Sequence, residues 1–83
     1  MILQVFTIYD SKVEVYMKPF YALTKGEAIR MFADGIKDTK ESSMIAKHPE
    51  DYTLFHIGDF DDSTAQFSSL VTPHSLGVGT EHL

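Results

Sequence analysis

The stretch Thr24-Lys25-Gly26-Glu27-Ala28-Ile29-Arg30-Met31-Phe32-Ala33-Asp34-Gly35-Ile36-Lys37 decides the fold. It opens on a capping box: Thr24 is placed to accept a hydrogen bond from the Glu27 amide, and Glu27 to reach back to the amide of Thr24. Ala28, Ile29, Phe32, Ala33 and Ile36 recur at helical spacing and form one apolar stripe. Lys25, Arg30, Asp34, Lys37 and Asp38 fall largely on the opposite side, and Lys37 and Lys40 suit the negative pole of the helix dipole. Gly35 marks either close packing or an early helix end. A single striped helix must bury that stripe against something, and here only a sheet is on offer.

The flanking segments supply it. Upstream, Ile2 to Tyr9 nearly alternates, with Leu3, Val5, Thr7 and Tyr9 on one face and Ile2, Phe6 and Ile8 on the other, a strand covered at least partly on both sides. Asp10-Ser11-Lys12 is a turn. Val13 to Ala22 is extended and broken near Pro19, which cannot donate to a central ladder. Downstream, residues 38–48 are polar and poorly periodic, a frayed helix extension or a loop. His48-Pro49-Glu50-Asp51 is a turn, and Tyr52 to Phe60 is a strand in which Gly58 bulges so that Phe60 rejoins the face of Phe55 and Ile57. Asp61-Asp62-Ser63-Thr64 turns the chain into a return strand, Ala65 to Val71, ended by Thr72-Pro73. The order β–β–α–β–β implies an α+β fold, a small antiparallel sheet covered on one face by one amphipathic helix. Residues 1–72 form the single domain, and residues 73–83 are expected to be a flexible C-terminal tail.

At 83 residues, 43% hydrophobic and 23% charged, the chain has the composition of one globular domain with a marginal core. It has no cysteine, which excludes disulfides, thiol catalysis and cysteine-held metal clusters. No apolar run reaches the length of a membrane span, and the start lacks a signal peptide's basic region, so the expected location is a cytoplasm. The net charge of −5 opposes general affinity for nucleic acid. Yet residues 12–47 hold all seven Lys and Arg against five carboxylates, whereas residues 48–83 hold six carboxylates and no Lys or Arg. Such polarity either presents one basic face or is ordinary decoration of helical polar positions.

Signals for chemistry are sparse. His48, His56, His74 and His82 have no metal-ligand spacing, and His56, mid-strand, reads as a solvent-side residue. Asp59, Asp61, Asp62 and Ser63 lack the Gly and Glu of a calcium loop and read as a solvated turn. No nucleophile elbow or phosphate-binding loop is present, so no catalytic residue, metal or cofactor is expected, and the chain reads as no enzyme. The remaining candidate is the interleaving of Tyr16, Lys18, Phe20, Tyr21 and Lys25. Such a pattern stacks bases and tracks phosphates in single-strand binders, or else Phe20 and Tyr21 fill the core.

Several runs are more specific. Tyr9-Asp10-Ser11-Lys12, Lys47-His48-Pro49-Glu50-Asp51-Tyr52-Thr53-Leu54-Phe55, Phe60-Asp61-Asp62, and Thr72-Pro73 followed by Ser75-Leu76-Gly77 occur in this order. Together they resemble the small nonstructural protein of microviruses, notably the gokushoviruses, tailless phages with circular single-stranded DNA. His56 and His74 depart from the Glu and Lys expected there. The resemblance implies a phage nonstructural, DNA-binding protein in the bacterial host cytoplasm. Like the small C protein of the phiX-like phages, it would aid the switch from duplex replication to single-strand synthesis and packaging. On that reading single-stranded DNA is the partner, and Lys12, Lys18, Lys25, Arg30, Lys37 and Lys47 form the candidate surface. The alternatives are an adaptor that engages phage replication or capsid proteins without touching DNA, and a capsid-associated structural component. A small core with exposed aromatics and sheet edges also predicts a homo-oligomer.

Overall fold

In the computed structural model, which describes residues 1–37 and 44–83, β1 (Ile2–Asp10) is the spine of the fold. Its first half pairs with β3 (Phe20–Ala22) and its last residues with the short β2 (Val15–Tyr16). On its other side it pairs along its whole length with β4 (Tyr52–Asp61), which in turn pairs with β5 (Gln66–Val78). All pairings are antiparallel, in the order β2-β1-β4-β5 with β3 beside β1. The helix α1 (Lys25–Lys37) lies across one face, followed by one turn of helix, α2 (Met44–Lys47). This is the expected α+β fold. Lys40 and the first part of the polar stretch lie outside the described residues.

The helix starts where the capping box places it. Thr24 Oγ1 accepts from the Glu27 amide at 3.1 Å, but the Glu27 carboxylate accepts from the amide of Leu23, not of Thr24, at 3.2 Å. The box therefore closes one residue earlier and ties the end of β3 to the helix. Ala28, Phe32 and Ile36 are buried, with Ile29 packed beside them, against Phe6, Ala22, Tyr52 and Leu54 of the sheet. Phe6 is the hub, fully buried, with its ring 5.8 Å from Phe20 and 5.2 Å from His56.

Gly35 contradicts the close-packing alternative: a Cβ built there meets nothing within 4 Å, and the helix continues past it to Lys37. Gly35→Ala should therefore stabilise the protein by about 0.5–1 kcal/mol, because Ala orders at lower entropic cost. A higher urea midpoint at unchanged m-value checks this; a lower midpoint would contradict it.

The β1–β2 and β4–β5 hairpins use the same turn. In Asp10–Val15 and Asp61–Gln66 the first Asp carboxylate accepts from the amide two residues on, from Lys12 at 2.9 Å and from Ser63 at 3.0 Å. Its carbonyl accepts from the amide four residues on, from Glu14 and from Ala65, each at 2.8 Å. Those two residues take the left-handed conformation, φ 59° at Glu14 and 61° at Ala65. Asp61 is also bonded by the Ser63 hydroxyl at 2.6 Å, while Asp62 holds the Met1 amino group at 2.8 Å, so the oxygen cluster of this turn is largely engaged within the chain.

The Ser63 hydroxyl, then the Ser63 amide, hold the Asp61 carboxyl below the usual carboxylate range, with a further contribution from the Met1 amino group. A depressed folded value adds stability above the unfolded carboxyl's range, about 3.9, and loses it as pH falls through the folded value. Urea midpoints followed downward from neutral pH should therefore drop more steeply in the wild type than in Asp61→Asn. Superimposable curves would remove Asp61 from the acid response.

Two expectations are corrected. The return strand does not end at Thr72-Pro73: residues 70–73 bulge outward and β5 resumes to Val78. Residues 73–83 are accordingly no tail. Gly79–His82 form a 3-10 turn packed on the core, with Gly79 against the Pro49 carbonyl and His82 edge-on to Phe32 at 5.7 Å. Gly77 permits this path through φ 111°. His56, expected on the solvent side, is only 7% exposed and faces Phe6, its ring nitrogen Nε2 donating to the Gly58 carbonyl at 2.9 Å. The physical reason is that the helix covers the face carrying Tyr52 and Leu54, and His56 follows them in unbroken alternation.

Candidate nucleic-acid interface

The bulge in β4 builds the face opposite the helix. Phe6 pairs with His56 and Val5 with Gly58, so Ile57 is the extra residue of β4. Phe55, Ile57, Gly58 and Phe60 thus all belong to one face, as the sequence predicts, with Leu3, Val5, Thr7 and Tyr9 of β1 beside them. Tyr16 and Tyr21 join from β2 and β3, and Phe67, Ser69, Ser75 and Val78 from β5. None of these strand positions is charged, in a chain that is 23% charged.

The aromatic rings form two groups. At one end Tyr9 lies 4.8 Å from Tyr16, which lies 5.8 Å from Phe55. At the other, Phe60 lies 5.9 Å from Tyr21 and 4.7 Å from Phe67. Tyr16 is 52% exposed, Tyr21 44% and Phe67 63%, so these rings are available to a partner. Between the groups runs a groove of about 310 Å³, lined by Thr7, Tyr16, Met17, Pro19, Ile57 and Pro73. It shares Pro19 and Ile57 with a smaller hollow that continues past Val5 and Gly58 to Phe67, with Asp59 at its margin. The Thr7 hydroxyl on the groove floor donates to the Met17 carbonyl at 2.6 Å, so its proton is engaged within the chain. Such a surface can stack flat rings with little selectivity among them.

The interleaved aromatics split accordingly. Phe20 packs into the core against Phe6, while Tyr16 and Tyr21 face outward. The predicted basic residues are all exposed but sit on separate elements. Lys12 is in the turn next to the Tyr9–Tyr16 pair, and Lys18 lies between the groove-lining Met17 and Pro19. Arg30 and Lys37, two helical turns apart, share an outer line of α1, whereas Lys25 at its start falls in line with the buried stripe. Lys47 ends α2. Among the described residues none of these six forms an ion pair. Of the six, Lys18 is flanked in the chain by two groove-lining residues and Lys12 lies in the turn that follows Tyr9, while the other four belong to the helices. Sequence reasoning missed Tyr9, Phe55, Phe60 and Phe67 as site residues, although their shared alternation was visible.

The Tyr9–Lys12 and Lys47–Phe55 runs meet at one end of the molecule, joined there by the chain just past Ser75-Leu76-Gly77, whereas Phe60-Asp61-Asp62 lies at the other end, where Asp61 pairs with Ile2. Ser11 donates its amide to the Asp51 carbonyl at 2.9 Å, Asp10 pairs with Tyr52, Thr53 with Val78, and Gly79 abuts Pro49. Pro49–Asp51 is a 3-10 turn that launches β4, so this motif is used for packing. Burial, then the neighbouring Asp10 carboxylate, push the Tyr52 phenol up, which keeps it neutral. His56 and His74, the two departures from the motif pattern, are cross-strand partners. His48, Glu50 and Asp51 also gather within 4.8 Å, but His48 and Glu50 are exposed and all three are close in sequence.

A small antiparallel sheet, helix-covered on one face and aromatic and uncharged on the other, defines the class: a two-layer α+β protein with one open sheet face. The chain belongs to the family described as Phage ORF5 protein, which matches residues 3–82. It is 33% identical over 64 residues to Protein ORF5 of Chlamydia phage 1, a stretch covering 75% of this chain and 67% of that protein. Both findings bear out the resemblance to a small phage protein of the microvirus type. No solved structure matches the chain. Among the described residues no helix is long and apolar enough to cross a membrane.

Proposed function

We propose that this phage protein is a nonstructural, non-enzymatic factor that binds single-stranded DNA on the open face of its sheet and aids the switch from duplex replication to single-strand synthesis and packaging. The observation that carries the reading is the uncharged groove between two aromatic groups, with Lys18 seated between two of its lining residues. Bases would stack on Tyr16, Tyr21 and Phe67, while Lys12 and Lys18 hold phosphates at the margin. The outer side of the helix, with Arg30 and Lys37, faces away from this groove and is the less favoured surface.

The two surfaces differ in salt dependence. Single-strand binding weakens with a log–log slope of about −0.7 per phosphate neutralised, so two lysines give about −1.4 and all six basic residues about −4. Titrating a fluorescently labelled oligothymidylate over a range of salt concentrations separates them, and the shallow slope is expected. No binding at low salt would overturn DNA binding and favour the adaptor reading. A slope near −4 would move the site off the sheet.

A further inference from the structure

We propose that two copies of this chain associate by pairing the outer edges of β5 antiparallel across a two-fold axis, over residues 66–69. The inference does not rest on DNA binding. One side of β5 pairs with β4, and among the described residues no strand lies on its other side. An unpaired edge is a template for a further strand unless charge, proline or a bulge blunts it.

The two halves of β5 differ in this respect. In the second half the Gly77 amide donates to Ser75 Oγ at 3.3 Å, and the Leu76 carbonyl takes His82 Nε2 at 2.9 Å. That part of the edge is served from within the chain, and Pro73 and the bulge at 70–73 separate it from the first half. Over Gln66–Leu70 no described bond besides the β4 ladder engages the backbone. The side chains there are exposed apart from the half-buried Leu70, and Val71 beyond it is fully exposed.

Charge selects the occupant. The chain carries −5, so two copies repel wherever carboxylates must meet. Residues 63–80 contain no Asp, Glu, Lys or Arg, the longest such run in the chain. A strand without charge pairs with its own copy at no like-charge penalty and needs no complementary pattern, as an isologous contact requires. The opposite edge of the sheet is less suited, being cut into β2 and β3 and interrupted at Pro19. Joined through β5, the two sheets become one, and the Phe67–Phe60–Tyr21 groups of both copies flank the dyad.

Light scattering and sedimentation at micromolar concentration should give the mass of a dimer. Ser68 is exposed and lies across from Asp59 of its own chain, so Ser68→Lys is tolerated within the hairpin but sets like charges face to face near the dyad. This variant should run as a monomer with an unchanged circular dichroism spectrum. Because the protein has no cysteine, single-cysteine variants give a second readout free of background. Ser68→Cys should oxidise to a covalent dimer faster than Ser11→Cys in the distant β1–β2 turn, since a disulfide needs Cα atoms within about 7 Å. A monomeric wild type, a dimer that persists in folded Ser68→Lys, or equal crosslinking of the two cysteine variants would each overturn the proposal. Should Ser68→Lys fail to fold, the cysteine comparison decides.

Discussion

Phe6→Ala is expected to lose about 3–5 kcal/mol of folding stability, the cost of emptying a fully buried aromatic site. A chain of this size has only about 4–12 kcal/mol in total, so the loss removes at least a quarter of it and, at the low end of that range, leaves the variant near half unfolded at room temperature. The magnitude follows from position. Phe6 is buried in the middle of β1, stacked on Phe20, tilted against His56 and grouped with Phe32 and Leu54. No neighbour is free to fill the space, because β1 is held on both sides by β3 and β4. Urea unfolding monitored by circular dichroism measures the loss. A cost under about 1 kcal/mol, the range of surface changes, would show that the helix does not pack on this strand as described.

Removing the exposed rings should do the reverse, sparing the fold and weakening DNA binding. Tyr16→Ala and Tyr21→Ala should each lower affinity for single-stranded oligothymidylate by about 5- to 150-fold, the equivalent of 1–3 kcal/mol per stacked base. Both rings are about half exposed, so thermal midpoints should move by only a few degrees. The neighbours in sequence make the contrast sharp. Phe20→Ala should destabilise the protein because Phe20 faces the core, although Tyr21 beside it faces out. Arg30→Ala combined with Lys37→Ala should leave affinity within about twofold, since both lie on the helix side. Loss of binding in that double variant together with full binding in Tyr16→Ala would move the site to the helix.

The paired tests also separate what was legible from what was not. The helix, its cap and its buried stripe could be read directly, because helical period and capping chemistry are local. The bulge at Ile57-Gly58 was legible because it alone reconciles Phe55 and Phe60 on one face. The end of β5 was not. Pro73, Gly77 and Gly79 look like a loop, and only contact with Pro49 and Phe32, far away in sequence, holds them in place. The same holds for His56, whose burial depends on the helix covering the Tyr52 and Leu54 face of β4 and not the Phe55 face.

For the surface, the sequence by itself determined the confinement of Lys and Arg to residues 12–47 and the uncharged character of residues 63–80, since composition along a chain needs no fold. It also determined that Tyr16, Lys18, Phe20 and Tyr21 lie on extended chain, through their alternation. Only the tertiary structure decided which of those aromatics face out, because alternation sets two faces but not which one the helix covers. It likewise decided that six basic residues spread over separate elements, while two groups of rings from five strands gather on one face. Strand pairing between residues tens of positions apart is a non-local event, and that is why the platform exists in the fold alone.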